Sequence, residues 1–184
     1  MSPLVAGRWL SVVVLLAATV LFHRFFRIVC VSGNSMLPTF HDGDWLLVAK
    51  RRPESPEPRR GELVIARSPT GYLVKRIVGL PGEAVEVIQG AVHINGHPHP
   101  TGAPNEHGCL QLSRGWLLPN RYALLGDHRD VTSDLAEHAV VGSEDLVGRV
   151  VVRLFPEPSP IPPPREPVVT LTGSGGTMRS NPHH

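Results

Sequence analysis

Residues 84–96 read AVEVIQGAVHING, and this stretch decides the fold class. Apolar and polar residues alternate on either side of Gln89-Gly90, and Asn95-Gly96 closes the second run. Such dipeptides tolerate the positive φ angles of tight turns, so the stretch predicts two antiparallel strands joined as a hairpin. Other short runs of strand character, separated by turn residues, cover residues 44–49, 62–67, 72–78, 116–118, 122–125 and 146–154. The chain is therefore expected to be mostly β, forming an antiparallel sheet or a barrel-like domain.

The composition agrees with a small β domain and excludes one large class of functions. Among its 184 residues the chain has 18 glycines and 19 prolines, which favours strands and turns over helical packing. The formal net charge is only +2, and the arginines are scattered along the chain. We therefore expect no nucleic-acid partner.

The N-terminal segment predicts a membrane anchor. Residues 9–22, WLSVVVLLAATVLF, carry no charge, but as a helix they would span only about 21 Å. Apolar residues up to position 31 extend the run, and the long side chains of Arg24 and Arg27 are able to reach the headgroups. A single tilted transmembrane helix within residues 1–31 is the prediction.

Two further features bear on this anchor. A cleaved secretory signal is the alternative, but His23 and the bulky residues after it stand where small residues should precede a cut. Arg24 and Arg27 beyond the apolar run outnumber Arg8 before it, which argues against an orientation with the N-terminus inside. At the other end, residues 156–184 are rich in Pro, Gly, Ser and Thr and predict a disordered tail. Residues 32–155 remain for the folded domain.

The first stretch with chemical potential is residues 31–40, VSGNSMLPTF. Gly33 and Pro38 restrict the backbone on either side of Ser35, so we expect this serine on a turn with its hydroxyl presented. A polar turn after an apolar helix is the alternative. Met36 is open to two interpretations, a core residue or a contact to lipid or substrate. The Gly-x-Ser-x-Gly elbow of α/β-hydrolases is absent, because Leu37 stands where its second glycine would be.

The second stretch is a predicted strand that carries Lys75, one of only two lysines among the 18 basic residues. Strand periodicity places Lys75 on one face with Leu73 and Ile77, among apolar neighbours. Burial lowers the pKa of an amine, and a neutral amine is able to take the proton of a serine hydroxyl, which an arginine is not. The alternative is an edge-strand lysine that discourages aggregation. The other lysine, Lys50, opens a basic, proline-rich stretch and is expected to be solvated.

The third stretch is residues 125–134, LGDHRDVTSD, in which a strand ends in a loop of carboxylates and hydroxyls. Its composition alone is typical of a solvated turn. However, SGNSMLPTF, VKRIVGLPGE and GDHRDVTSD occur in the order and spacing of the motifs of type I signal peptidases. The chain resembles this family of membrane-bound Ser/Lys proteases over residues 31–155.

The resemblance implies roles for individual residues. Ser35 matches the nucleophile, with its backbone N–H as the oxyanion donor, and Lys75 matches the general base. Thr132 falls where the family usually has a serine that orients this lysine. Arg76 and Asp127 match structural positions, and we expect them to pair on the side of the strand away from Lys75. The remaining matched position is the family's later aspartate, Asp134.

Several positions depart from the family pattern. His128 replaces an asparagine, Leu135-Ala136 replaces Ser-Arg, and Ala139 stands where a glycine is expected, so Asp134 lacks the family's arginine partner. Gly33 offers no hydroxyl to an oxyanion hole, unlike the serine that some members carry there. These changes bear on local stability and on the shape of the cleft more than on the reacting residues.

The cysteines and histidines do not predict a metal site. Cys30 and Cys109 lack a metal-ligand spacing, and we expect two thiols that are not joined to each other. A cluster of possible ligands has irregular, proline-broken spacing and is expected to be a variable surface loop; it comprises His93, His97, His99, His107 and Cys109.

The resemblance implies a single-pass endopeptidase of the bacterial plasma membrane with its catalytic domain on the extracytoplasmic side. Its substrates would be secretory preproteins with small residues before the cut, its other partner would be the lipid bilayer, and no metal or organic cofactor is implied. Two alternatives stay open at this point. One is a catalytically silent, membrane-tethered β module that binds preproteins. The other is a Ser/Lys maturation protease dedicated to one substrate.

Overall fold

The computed structural model describes residues 3–69, 71–100, 112–128, 140–155 and 159–160. Helix α1 (Pro3–Phe25) comes first and is followed by strands and one 3-10 turn. The strands are β1 (Phe26–Cys30), β2 (Trp45–Lys50), β3 (Leu63–Ser68), β4 (Gly71–Gly79), β5 (Ala84–Ile88), β6 (Ala91–Ile94), β7 (His97–His99), β8 (Leu112–Trp116), β9 (Arg121–Leu125), β10 (Val140–Gly142), β11 (Leu146–Phe155) and β12 (Ser159–Pro160). The 3-10 turn is η1 (Ser143–Asp145).

The strands form two antiparallel sheets. The larger sheet has the order β1-β2-β11-β3-β4-β9-β10, with β12 beside β11, and the smaller has the order β7-β6-β5-β8. This arrangement confirms the prediction of a mostly antiparallel β protein. Among the described strands the larger sheet ends at β1 on one side and β10 on the other, so it does not close into the expected barrel. The chain leaves this sheet after β4 to build the smaller one and returns as β9.

The hairpin predicted from residues 84–96 is present. Strands β5 and β6 lie within this stretch on either side of Gln89-Gly90 and pair antiparallel, with Val87 opposite Val92. Gln89 and Gly90 turn the chain with φ angles of 48° and 79°. The next dipeptide, Asn95-Gly96, makes a second turn with φ angles of 53° and 86° and leads into β7.

The segment that follows α1 differs from the prediction. Residues expected to prolong the apolar anchor form strand β1, which pairs with β2 from Phe26 opposite Ala49 to Cys30 opposite Trp45. Two consecutive β-branched residues, Ile28 and Val29, suit an extended backbone, and pairing with β2 satisfies its hydrogen bonds. The first strand of the sheet therefore lies within residues 1–31, which the sequence assigned to the anchor.

The helix itself is longer than the apolar run that predicted it. It covers Pro3–Phe25, and its apolar side chains are exposed from Trp9 onward. Within the described part of the chain, no helix is both long and apolar enough to cross a membrane. The helix is present, but a transmembrane span is not shown.

The core under the Ser35 segment is built from two buried side chains of that segment. Met36 and Phe40 are 1% and 2% exposed and pack against Leu46 and Val48 of β2 and Ile65 of β3. Met36 is therefore a core residue, although it also lines the cleft described below. This packing fixes the turn that carries Ser35 on the larger sheet.

Candidate active site

Ser35 lies on a turn between β1 and β2, as predicted. Backbone hydrogen bonds close the turn, from the Leu37 N–H to the Asn34 carbonyl (3.1 Å) and from the Phe40 N–H to the Met36 carbonyl (2.9 Å). The Gly33 N–H donates to Asp42 Oδ1 at 2.8 Å, and Gly33 has a φ of +90°, a conformation that favours glycine. Ser35 itself is half-buried.

Lys75 lies on β4, between β3 and β9 in the larger sheet. It is opposite Val64 of β3, and its side chain is half-buried rather than fully enclosed by apolar neighbours. Strand β4 as a whole is not an edge strand, but its pairing with β9 begins only at Arg76, so Lys75 is paired with β3 alone and its other side faces the cleft.

The structure brings Ser35 and Lys75 into one cleft. The cleft has a volume of about 370 Å³. Its other lining residues are Arg27, Val29, Cys30, Val31, Ser32, Met36, Ile65, Tyr72, Leu73 and Val74. Most of these are apolar, and Ser32 and Tyr72 add hydroxyl groups. A largely apolar cleft of this size suits a peptide segment with small or aliphatic side chains.

Gly126 lies close to both candidate reacting residues. A Cβ atom at this position would lie 2.4 Å from the Ser35 carbonyl oxygen and 3.5 Å from Lys75 Nζ. Two residues later, the His128 N–H donates to the same Ser35 carbonyl at 3.1 Å. The loop after β9 thus holds the Ser35 backbone against the strand that carries Lys75. The approach is so close that any side chain at position 126 would collide with the Ser35 carbonyl oxygen.

Gly126→Ala is expected to lower kcat/KM by about 100-fold on a peptide substrate, because the new methyl group displaces the Ser35 backbone by about an ångström. Gly142→Ala is the matched control, since the three atoms nearest to a Cβ there belong to the end of the exposed Glu144 side chain, which is free to rotate away. Steady-state kinetics of both variants make the comparison. Activity of Gly126→Ala within twofold of the parent would contradict the assigned close approach.

A buried ion pair supports the site from behind. Arg76 donates from Nε to Asp127 Oδ1 (2.8 Å) and from its terminal nitrogen to Oδ2 (2.6 Å), and a second terminal nitrogen donates to the Gly61 carbonyl (2.8 Å). The two side chains are almost completely buried. The Thr39 hydroxyl also donates to Asp127. The pair expected from the sequence is therefore present, and it joins β4, the loop after β9 and the end of the Ser35 turn.

Asp127→Ala is expected to lower the free energy of unfolding by about 3–5 kcal/mol, because it leaves the Arg76 guanidinium buried without its carboxylate. Glu62→Gln is the matched control. It breaks the 3.6 Å ion pair with the exposed Arg149, which is worth at most about 1 kcal/mol. Urea denaturation followed by circular dichroism measures both values. Equal stability of the two variants would mean that the buried pair does not hold the fold.

Several predicted site residues lie outside the described part of the chain. They are Thr132 and Asp134, together with the departures Leu135, Ala136 and Ala139. Their roles stay predictions.

Sequence reasoning missed two contributors to the site. From the sequence, Gly126 only marks the end of a predicted strand, and its closeness to Ser35 depends on how β9 lies beside β4. Thr39 belongs to the Ser35 motif, but nothing in the sequence indicates that its hydroxyl contacts Asp127. Both assignments need the three-dimensional arrangement.

The described part of the histidine-rich segment forms strands, one of which the predicted hairpin already contains and one of which was expected to be loop. His93 lies on β6, and His97 and His99 lie on β7. The two strands pair because Asn95-Gly96 makes a hairpin turn between them. His107 and Cys109 lie outside the described residues. Within the described ranges, no group of three His, Cys, Asp or Glu side chains is arranged to hold a metal ion.

His99 differs from an ordinary solvated histidine. Burial lowers its pKa, and the nearby Arg60 guanidinium lowers it further, whereas Glu83 opposes the change. Arg60 itself pairs with Glu83.

A lowered pKa in the folded protein means that the unfolded chain binds the His99 proton more tightly. The folded protein is therefore fully stable, as far as His99 is concerned, at pH values above 6.5, the pKa of this histidine in the unfolded chain. As the pH falls below that value, protonation favours the unfolded chain and stability is lost. His99→Gln is therefore expected to reduce the loss of thermal stability between pH 7 and pH 5. His97→Gln, at the exposed position of the same strand, is the control. An unchanged acid response in His99→Gln would contradict this account.

The single cysteine that the structure describes is Cys30. It is a free, exposed thiol at the end of β1, and its residue lines the cleft beside Ser35. Cys109 lies outside the described residues.

Comparison with known proteins identifies the protein family to which the chain belongs. The family described as signal peptidase, peptidase S26, matches residues 6–155, and the chain belongs to this family. Membership supports a serine-type peptidase that removes signal peptides from secreted preproteins, and association with membranes is typical of the family.

Individual relatives agree with this assignment. Signal peptidase I of Leptolyngbya laminosa is 32% identical over 137 residues, which is 68% of this chain and 67% of that protein. Signal peptidase I T of Bacillus subtilis is 32% identical over 155 residues, which is 74% of this chain and 80% of that protein. A Staphylococcus aureus relative named inactive signal peptidase IA is 24% identical over 159 residues, which is 81% of this chain and 91% of that protein.

Proposed function

We propose that this protein is a membrane-associated serine endopeptidase in which Ser35 is the nucleophile and Lys75 is its general base. The observation that carries the proposal is that both residues line one cleft and lie against the same glycine, Gly126. A serine hydroxyl is a weak nucleophile until a neighbouring base takes its proton. Lys75 is the one lysine of the cleft and, unlike an arginine, is able to exist as a neutral amine.

In the proposed reaction, neutral Lys75 takes the proton of Ser35 Oγ as this oxygen attacks the scissile carbonyl carbon. The tetrahedral intermediate carries a negative oxygen, which the Ser35 N–H stabilises. Lys75 then gives its proton to the leaving amine as the C–N bond breaks, which leaves an acyl-enzyme. Water attacks the ester, Lys75 accepts the proton of this water, and Ser35 regains a proton as the carboxylic product departs.

Other residues are assigned supporting roles. Thr132 orients Lys75 by a hydrogen bond, as its match to the family's serine suggests. Arg76 and Asp127 hold the Ser35 turn and the loop after β9 together, and Asp134 contributes to the same loop. No metal or organic cofactor takes part in these steps.

The proposed substrates are secretory preproteins with small residues just before the cut, cleaved on the outer face of a bacterial plasma membrane. Family membership and the largely apolar lining of the cleft support this substrate class. The exposed apolar side chains of α1 support association with a membrane. Residues 1–31 then hold the protein at the bilayer, residues 32–155 form most of the peptidase domain, and residues 156–184 are a tail.

A catalytically silent binding module is the second candidate, and one observation favours it. A relative that covers most of this chain is named inactive, so loss of activity occurs within the family. The departures at Leu135 and Ala136 are in keeping with such a loss. Against it, this chain keeps both the serine and the lysine.

Incubation of the purified full chain in detergent with several unrelated preproteins tests these candidates. We expect each preprotein to be cut after a small residue, with the position read by mass spectrometry of both products. Binding without cleavage would favour the silent module. Cleavage of one preprotein alone would favour a dedicated maturation protease.

A further inference from the structure

We propose that the junction between α1 and the larger sheet is a binding surface for anionic phospholipid headgroups. Three arginines form this surface, Arg24 at the end of the helix, Arg27 on β1 and Arg52 just after β2, and they are called the basic collar below. The proposal goes beyond peptidase activity and does not depend on the chemistry of Ser35 and Lys75.

The apolar half of the proposed surface is the helix. Its large apolar side chains are exposed at positions that point in every direction around the helix axis: Trp9, Leu10, Val12, Val13, Val14, Leu15, Leu16, Val20, Leu21 and Phe22. Leu15 and Val20 are each 68% exposed. Apolar area of this extent is stable in contact with hydrocarbon, and the helix meets the rest of the protein at β1 and β2, beside the collar.

The collar is held in place by aromatic rings and by the end of the helix. The Arg52 guanidinium carbon lies 4.6 Å from the centre of the Phe25 ring, and that of Arg27 lies 5.8 Å from the centre of the Tyr72 ring. Stacking of this kind orients a guanidinium while its N–H groups stay available to other partners. Lys50 ties the helix to the sheet, because its ammonium group donates to the His23 carbonyl at 2.5 Å.

The chain on the helix side of the collar carries only positive charges. The first 41 residues contain Arg8, Arg24 and Arg27 but no aspartate or glutamate, and Asp42, the first acidic residue, accepts the Gly33 N–H. On the other side of the collar, Glu54 and Glu57 follow Arg52 in the loop after β2. Guanidinium groups bind phosphate oxygens by paired hydrogen bonds. Basic residues that border an exposed apolar helix are the arrangement that anionic membrane surfaces attract, and each arginine near such a surface strengthens binding about fivefold.

The basic collar and the cleft that contains Ser35 share one residue. Arg27 belongs to the collar and also lines the cleft that contains Ser35. A headgroup bound at Arg27 therefore places one end of the cleft at the surface of the bilayer.

Flotation of the full chain with lipid vesicles tests the proposal. Vesicles of phosphatidylcholine alone are compared with vesicles that contain about one-third phosphatidylglycerol. The Arg24→Gln/Arg52→Gln variant removes two collar charges and leaves Arg27, which lines the cleft, unchanged. Arg114→Gln/Arg121→Gln removes two exposed charges far from β1, on β8 and β9, and is the matched control.

We expect the parent protein and the control to bind the anionic vesicles roughly 100-fold more tightly than the neutral ones at low salt, with the preference falling as salt rises. We expect the collar variant to lose roughly 25-fold of this preference while it keeps its binding to neutral vesicles. Equal binding of the parent to both vesicles, or the same loss in the control, would overturn the proposal. Because the parent's own lipid and salt dependence is decisive, the test does not require the collar variant to fold.

Discussion

Ser35→Ala is expected to lower kcat by at least about 10⁴-fold and to leave substrate binding almost unchanged. The substitution removes the oxygen that forms the acyl-enzyme and adds no bulk to a cleft that already accommodates the serine. The backbone of the turn is held by other groups, including the His128 N–H on the Ser35 carbonyl, so the fold should persist. Cleavage of a quenched fluorescent peptide measures the rate.

The control for this variant makes the same chemical change elsewhere. Ser143→Ala removes a hydroxyl in the η1 turn, between β10 and β11, and should retain the parental rate. Comparable rates for Ser35→Ala and the parent would show that Ser35 is not the nucleophile. Similar losses in both alanine variants would point to a general effect on folding.

Lys75→Arg is expected to have the second large effect, a loss of about 10³-fold or more in kcat. Arginine keeps the positive charge and a long side chain, but its guanidinium does not give up a proton in a protein. The substitution therefore separates a role as a base from a role as a cation. Loss of the base leaves Ser35 protonated throughout the reaction.

Lys50→Arg is the matched control, because Lys50 is the only other lysine in the chain. An arginine at this position keeps both the charge and a donor for the His23 carbonyl, so the rate on a soluble peptide should not change. An active Lys75→Arg enzyme would mean that the positive charge is sufficient, and Lys75 would then not be the base.

Much of the fold was predictable because local signals agree with the tertiary arrangement. Alternating residues and the turns at Gln89-Gly90 and Asn95-Gly96 defined the β5–β6 hairpin. Strands of three residues, such as β7 and β10, are too short to show a period and were missed. The β8 strand lies at Leu112–Trp116 rather than at 116–118, because its register is set by pairing with β5.

Strand β1 illustrates a different limit. Its residues are as apolar as those of the helix before them, so composition alone predicts one continuous apolar anchor up to residue 31 rather than a helix followed by a strand. The change from helix to strand after Phe25 depends on pairing with β2, a contact between distant parts of the chain.

The candidate site was predictable to the extent that it is encoded in motifs. The motifs single out Ser35 and Lys75 as candidates, whose roles stay predictions. The resemblance led to the expected pairing of Arg76 with Asp127, which the structure contains, and the alternation along β4 places Arg76 on the face opposite Lys75. Periodicity gives the face of a side chain but not its depth, so it did not predict that Lys75 is half-buried. The closeness of Gly126 to the Ser35 carbonyl depends on how β9 lies beside β4, which no local pattern encodes.

Mass spectrometry of acid-quenched enzyme and substrate tests the central proposal most directly. We expect the acyl part of the substrate to be attached to the tryptic segment 28–50, and fragmentation to place it on Ser35 rather than on Ser32 or Cys30 of the same segment. The adduct should be absent from Ser35→Ala. An adduct on another residue of this segment, or continued cleavage by Ser35→Ala, would contradict the assignment of Ser35 as the nucleophile.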